Sequence, residues 1–480
     1  MYQIDFNHPI HIYFMGIGGI SMSGLASILL DKGFIISGSD MKESDLTTDL
    51  LNRGAHIFYG QRAANLDSRP DIPAIELVVY TAAIKKDNPE FIAMQQKKLK
   101  SLTRAELLGQ IMKNYQIPIA ISGTHGKTTT TGMVSEILLA AGLDPTLSIG
   151  GILNTINGNL RIGKSEYFVT EACEYTNSFL SFFPKIGIIL NIEADHLDFF
   201  KDLKQIRKSF HDFAALLPED GLLIINGNID EIGEVINGLR CDIITYGFGQ
   251  ACDYCASDIV YDHEARPTFT VIKARQKEGA DVMAATMSVS AAHYTLGSRG
   301  KHNVLNALAS IALADHLGIC ATKLREALEK FTGTKRRFEE KGTHKGFTII
   351  DDYAHHPTEV EATLTTARNY PHREIWCVFQ PHTYTRTKAF MREFAAALSL
   401  ADHIIIIDIY AAREKNTTGI SGKDLAEAIL LHRKECYYIP TVNGFDDVEE
   451  FILKNLQKDD LLITMGAGDV VNIGDNLLSK

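Results

Sequence analysis

The chain has 480 residues, 45% hydrophobic and 22% charged, a composition that excludes a disordered or fibrous protein and a length that exceeds one ordinary core; roughly two to four domains are expected. A formal net charge of −11 excludes a general nucleic-acid binder, which needs a positive surface, while leaving room for a local basic pocket. No apolar run approaches a membrane span, the start Met1-Tyr-Gln-Ile-Asp-Phe has no signal-peptide pattern, and seven scattered cysteines make no disulfide framework, so a cytoplasmic protein with reduced thiols and no membrane insertion is expected.

Ile10 to Met15 alternates as a strand and runs into Gly16-Ile-Gly18-Gly19-Ile-Ser21-Met-Ser-Gly24, after which Leu25 to Leu30 continue as a helix. Glycines at such a turn let the backbone approach a pyrophosphate at a helix N-terminus. A strict dinucleotide fingerprint requires Gly at the position of Ser21. The next strand, Phe34 to Asp40, ends in an acid where a ribose hydroxyl is often held. Dinucleotide and nucleotide-sugar both remain open for this module. Leu77 to Ile84 is a further buried strand with a turn at Thr81-Ala82, and Asn88-Pro-Glu90 starts a helix with Pro in its first turn. The basic run Lys97, Lys98, Lys100 reads as a solvated face, and the first domain closes near Arg104, giving 1–104.

Ile117 to Ile121 reads as a buried strand, followed by Ser122-Gly123-Thr124-His125-Gly126-Lys127-Thr128-Thr129-Thr130-Thr131 and a helix from Met133 to Ala141. A strand passing through a glycine-containing turn into a helix seats a phosphate: backbone N–H groups face the anion, and a Lys adds a full charge. Thr128 stands where a hydroxyl ligand to Mg²⁺ is expected. The usual pattern places its first Gly where Ile121 stands, so this is a shortened phosphate loop, with ATP or GTP as ligand.

Two more strands should end on the same rim. Tyr167 to Tyr175 carries Glu171 and Glu174, and Ile186 to Asp198 ends in Glu193, Asp195, His196 and Asp198. Glu171 suits Mg²⁺, since an uncompensated acid beside phosphate would be repulsive. His196 suits a second ion equally well as a structural role, and Asp195 and Asp198 could simply cap the helix that follows. A strand-rich stretch at about 240–298 carries no motif except Cys252-Asp-Tyr-Cys255, which lacks the partners a tetrahedral zinc site needs. Asn303 and Asn306 lie on one face of a helix start, where they could read an adenine edge or act as caps; Ala307 to Gly318 and Ala321 to Phe331 form a helical pair. From Arg336 onward, repeated strand–helix units end in Asp351-Asp352, His355-His356, His382, Arg386, Arg413 and Gly466-Ala-Gly468, which reads as another open-sheet α/β domain. No nucleophile elbow is present, and these cations read as binders of carboxylate and phosphate.

Together these stretches resemble the Mur ligase family, most closely its alanine-adding members. The residues that carry the resemblance are Gly16 to Gly24, Gly123 to Thr128, Asn191-Ile-Glu-Ala-Asp-His196, His302-Asn-Val-Leu-Asn306, Arg337-Phe338, Asp351 to Pro357 and Phe379 to Arg386, in family order over nearly the whole chain. The resemblance implies an α/β protein of three domains: a Rossmann-like UDP-sugar-binding domain (1–104), a central P-loop-type ATPase domain (105–333) and a Rossmann-like C-terminal domain that brings in the amino acid (334–480). It implies ATP-dependent phosphorylation of the lactyl carboxylate of UDP-N-acetylmuramate, followed by attack of the L-alanine amine on the acyl phosphate.

Roles follow by resemblance. Lys127, His196 and Arg386 would be catalytic. Gly123, Thr124, His125, Gly126, Lys127, Thr128 and Thr129 would hold the ATP phosphates with Arg337, while Asn303 and Asn306 contact adenine and Asp352 the ribose. Thr128, Glu171 and His196 would hold Mg²⁺ or Mn²⁺. Gly16, Gly18, Gly19, Asp40, Thr81 and Ala82 would hold the UDP part, and Tyr353, His355 and Arg386 the amino acid and acyl phosphate. Two departures stand out. Several relatives carry a carbamoylated Lys shortly after the metal His, where this chain reads Lys208-Ser-Phe210-His211, and some alanine-adding relatives have Arg where this chain has Thr383. A nicotinamide-dependent oxidoreductase would leave the phosphate loop idle. A non-catalytic nucleotide switch does not account for the His, Arg and acids at strand ends, and folate-polyglutamate ligases lack the N-terminal module.

Overall fold

Three sheets follow one another along the chain, each built from the strand–turn–helix units that the hydrophobic runs predict. The structure is a computed structural model and describes residues 2–249, 251–275, 288–431 and 435–480. The first sheet is five-stranded and wholly parallel, in the order His56–Tyr59, Ile35–Asp40, His11–Met15, Leu77–Tyr80, Lys100–Thr103. Chain order reverses between His11–Met15 and Leu77–Tyr80, and a crevice opens at such a switch point beyond the carboxyl ends of the strands. The glycine turn after Met15 and the Thr81-Ala82 turn therefore flank one crevice. Helix Arg104–Met112 follows, started by a reciprocal capping box between Thr103 and Glu106.

The second sheet has ten strands. Its order is Ser288–Thr295, Pro267–Arg275, Tyr254–Tyr261, Asp242–Phe248, Leu222–Asn226, Ile186–Ile189, Ile117–Ser122, Tyr167–Ala172, Thr146–Leu153, Gly158–Arg161. The run Ile117–Ser122 sits between Ile186–Ile189 and Tyr167–Ala172, parallel to both. A strand buried on both faces must be apolar on both, which is why its sequence does not alternate. Register pairs Ile121 with Glu171 and Ser122 with Ile189. The phosphate loop, Glu171 and the segment from Leu190 to His196 are thereby delivered to one rim. The motif-free stretch supplies the strands between Asp242 and Thr295, with residues 276–287 outside the described set.

Helix Lys127–Ala141 begins well before the Met133 that the sequence predicts. Four consecutive threonines weaken a helix start, yet here Thr131 Oγ1 donates back to the Lys127 carbonyl at 2.8 Å, so the β-branched run is accommodated. The helix packs on Lys301–His316 and Ala321–Lys330 through Met133, Val134, Ile137, Leu138, Val304 and Leu308, all buried. Each such side chain contributes about 1.5–3 kcal/mol on leaving water. Neither Asp195 nor Asp198 caps the following helix: Asp202 does, accepting from Gln205 N at 2.9 Å.

The third sheet has six strands in the order Glu339–His344, Phe347–Asp352, Leu461–Met465, Ile375–Phe379, His403–Ile406, Cys436–Tyr438, parallel except for its first member. Among the described residues, no helix is long and apolar enough to cross a membrane. All seven cysteines are free, and the Cys255 thiol donates to the Cys252 carbonyl.

Candidate active site

Backbone geometry explains the shortened phosphate loop. Gly123 has φ 143° and Gly126 φ 83°, regions that side chains rarely enter. A Cβ on Gly126 would also lie 2.8 Å from Asn306 Oδ1, and one on Gly123 would lie 2.9 Å from Leu190 Cβ. Between them the loop is braced by Asn191, whose Oδ1 accepts from His125 N at 2.7 Å and whose amide donates to the His125 carbonyl at 3.1 Å. The function of Asn191 as the loop's brace has no signal in a single sequence.

At the helix start, the Lys127 ammonium donates to the carbonyls of Gly123 and, at 3.1 Å, of Thr124, and to Glu174 Oε2 at 2.9 Å. Burial alone would lower the affinity of this lysine for its proton, but the facing Glu174 carboxylate raises it above the ordinary value. Glu174 Oε1 is buried without a hydrogen-bond partner and lies 4.0 Å from His196 Nε2. Glu174 thus stands between two predicted catalytic groups, a role that the sequence reading did not assign to it. Thr128 Oγ1 donates to Glu171 Oε2 at 3.1 Å, and Gly150 N donates to Glu171 Oε1 at 2.5 Å. Burial raises the Glu171 pKa, opposed by these two hydrogen bonds. His196 stacks against Tyr175 with ring centroids 4.5 Å apart and is held at φ 52°; burial lowers its pKa. Lys208 points away to Asp212 on the helix exterior, and His211 Nδ1 faces the Val235 carbonyl, so neither joins this group.

Beside the loop lies a cavity of about 400 Å³ between the central and C-terminal domains. His125, Gly126 and Thr129 line it from the loop, Asn303 and Asn306 from the facing helix, and Arg337 and Asp352 from the C-terminal domain. These predicted nucleotide residues, scattered over the sequence, therefore meet. Asn306 donates to Asn303 Oδ1 at 2.9 Å, which fixes both amides on one wall. His302, which sequence reasoning left as a motif letter, also lines this cavity, and burial brings its pKa down to about 4. Asp352 accepts from Phe338 N and Ala354 N, both at 2.8 Å, and burial pushes its carboxyl up to about 6.

A second cavity, of about 510 Å³, opens between His196 and Asp198 on one side and Arg386 and Arg413 on the other. Arg386 reaches across the domain boundary to Asp195, with Nη2 2.9 Å from Oδ1, and both side chains are nearly buried. Burial would raise the Asp195 pKa, but the Arg386 guanidinium holds it far below the usual carboxylate range. His382 packs beside Arg386 at 3.1 Å and edge-on to His355 at 5.6 Å. Tyr353 and His355 do not line this cavity. Tyr353 lies under the Arg336 and Arg337 guanidinium groups, and His355 turns its Nδ1 to the Tyr353 carbonyl. In the N-terminal domain, Asp40 Oδ2 accepts from Gly18 N at 2.8 Å and so tethers the glycine turn of Gly16 and Gly19; Thr81 Oγ1 accepts from Ala83 N beside Ala82.

A phosphate loop opening a helix, a hydroxyl–carboxylate pair beside it and cationic side chains across an interdomain cleft define a nucleotide-dependent enzyme of three α/β domains. Family models agree with that division: "Mur ligase family, catalytic domain" matches residues 11–116, "Mur ligase middle domain" 121–314 and "Mur ligase, glutamate ligase domain" 336–468. The chain belongs to the Mur ligase family, a family of ATP-dependent ligases. It is 54% identical over 480 residues, covering all of both chains, to the UDP-N-acetylmuramate–L-alanine ligase of Agathobacter rectalis. The enzyme of the same name from Lachnospira eligens is 54% identical over 479 residues. Among solved structures, the UDP-N-acetylmuramate–alanine ligase of Thermotoga maritima matches with a TM-score of 0.76 and 28% identity, covering 98% of each chain. A murein peptide ligase from Psychrobacter arcticus matches with a TM-score of 0.67 and 27% identity, again over 98% of each chain.

Proposed function

We propose that this chain joins L-alanine to the lactyl carboxylate of UDP-N-acetylmuramate, a step of peptidoglycan precursor synthesis in the cytoplasm, with ATP converted to ADP and phosphate. The observation that carries the reading is the end-to-end likeness to L-alanine ligases, combined with two cavities between the central and C-terminal domains, one lined by the phosphate loop and the other by Arg386.

A carboxylate resists an amine until its oxygen becomes a good leaving group. Here Lys127, at the N-terminus of its helix, is placed to neutralise charge on the γ-phosphoryl group as it moves to the lactyl oxygen. An entering phosphate competes with the loop carbonyls for that ammonium, while Glu174 keeps it charged. A divalent ion fits Thr128 and Glu171, since a hard hydroxyl oxygen adjoins a buried carboxylate whose charged form gains from a cation. Mg²⁺ bound there supplies charge neutralisation on the phosphates; at His196 a nitrogen donor also suits Mn²⁺. Asn303, Asn306, Asp352 and Arg337 orient the nucleotide, and the glycine turn of Gly16, Gly18 and Gly19 with Thr81 receives the UDP part. Arg386 meets the alanine carboxylate or the acyl phosphate, sharing its charge with Asp195.

Phosphate release measured with single components omitted tests this reading. Turnover is expected only when UDP-N-acetylmuramate, L-alanine, ATP and Mg²⁺ are all present. Equal turnover without L-alanine, or with a peptide preferred to it, would overturn the assignment.

A further inference from the structure

On the wall of the nucleotide cavity, the phosphate loop carries a potential cation site besides the Thr128–Glu171–His196 group. His125, Glu193 and His356 each offer a ligand atom within 4.8 Å of the others. His125 belongs to the loop, Glu193 follows strand Ile186–Ile189, and His356 precedes helix Pro357–Arg368 of the C-terminal domain. Each imidazole has one nitrogen tied and one free. His125 Nδ1 faces Glu359 Oε1 at 3.2 Å, while its Nε2 is buried without a hydrogen-bond partner, 3.5 Å from Glu193 Oε2. His356 Nε2 faces the Ala194 carbonyl at 3.2 Å, while its Nδ1 is buried and unpartnered on a side chain only 4% exposed. An outer acceptor that fixes the tautomer and leaves the other nitrogen as a lone-pair donor is the arrangement that supports metal-bound histidines. Thr358 Oγ1 orients Glu193 in the same way, donating to Oε2 at 2.6 Å.

We propose that His125, Glu193 and His356 form a transition-metal site, distinct from the Thr128–Glu171–His196 group, that clamps the phosphate loop to the C-terminal domain. Two nitrogens and a carboxylate oxygen suit a borderline dication such as Co²⁺, Ni²⁺ or Zn²⁺ and disfavour Mg²⁺. The carboxylates of Glu193 and Glu359 balance its two charges, with Arg337 3.7 Å from Glu359 as the nearby fixed cation.

The proposal does not rest on the ligase reading, because binding is read on the free full-length protein. The test is a Co²⁺ titration followed by visible absorption with Mg²⁺ in large excess, so that oxygen-rich positions are already filled. Visible bands without near-ultraviolet thiolate charge transfer, saturating at about one equivalent per chain, are expected. His356→Ala and Glu193→Gln should each weaken binding about tenfold or more, while Glu171→Gln leaves it unchanged. Should His356→Ala not fold, Glu193→Gln decides alone, since Glu193 is partly exposed. Absence of the bands from the unaltered protein, thiolate charge transfer in their place, or unchanged binding in Glu193→Gln overturns the proposal.

Discussion

The two walls of the cleft are built on different principles. The phosphate wall is local: Gly123, Gly126, Lys127 and Thr128 are consecutive or nearly so, and Glu171 arrives from the adjacent strand by register. The wall proposed to meet the amino acid is assembled at a distance, with Arg386 of the C-terminal domain closing on Asp195 of the central domain across 191 residues of sequence. A local wall keeps its shape whichever way the domains sit. The distant wall exists only when the two domains meet.

The largest effect that separates the walls should come from Lys127→Ala. It removes the charge proposed to act in phosphoryl transfer, and kcat should fall by about a thousandfold or more with UDP-N-acetylmuramate affinity retained in calorimetry. Near-full activity would remove the loop from the mechanism. On the other wall, Asp195→Ala leaves Arg386 nearly buried and unpaired, and chemical denaturation should report a loss of about 3 kcal/mol. A change under about 0.5 kcal/mol would mean that water already compensates the guanidinium. Glu171→Gln should be milder, raising the Mg²⁺ concentration needed for half-maximal rate by about 10–100-fold while leaving denaturation midpoints close to the original.

How legible each wall is in sequence follows from the same contrast. The strand at Ile117, the glycine turn, Lys127 and the Thr128–Glu171 pair could be read from the residues because a buried parallel strand and a phosphate-binding turn impose local composition. Resemblance added Asn303, Asn306, Arg337 and Asp352, and the structure brings all four to one cavity. The pairing of Asp195 with Arg386 could not be read, since neither residue type nor spacing encodes a partner so far away; Asp195 looked equally like a helix cap. Glu174 and Asn191 were also out of reach in their actual roles. Holding a lysine or bracing a loop depends on side-chain direction at a strand end, which the period of a short buried strand does not specify. Tyr353 lies under Arg336 and Arg337, and His355 meets the Arg386 cavity only through His382, contacts that no spacing in the sequence specifies.

The smallest predicted effect is a slope in pH. His302 and His382 line the two cavities, His355 packs against His382, and burial lowers each to about 4 from an ordinary 6.5. The unfolded chain therefore binds more protons than the folded one between about pH 6.5 and 4, and stability should fall as pH drops through that window. Asp352, raised to about 6, and Glu171 and Asp351, also raised by burial, act in the opposite sense below about pH 6, but burial lowers His196 and His356 too, so the imidazoles prevail. Urea midpoints taken at intervals from pH 7 to 5 should decline steadily. A flat profile would mean that these histidines are solvated, and the cleft more open than described.

The central claim is that the phosphate loop activates a carboxylate and does not merely hydrolyse nucleotide. UDP-N-acetylmuramate carrying ¹⁸O in its lactyl carboxylate tests this most directly, with released phosphate analysed by mass spectrometry after turnover with L-alanine and ATP. Attack of that carboxylate on the γ-phosphorus, followed by displacement by the amine, predicts one carboxylate oxygen in each phosphate released. Phosphate free of label, with product formed, would contradict the account.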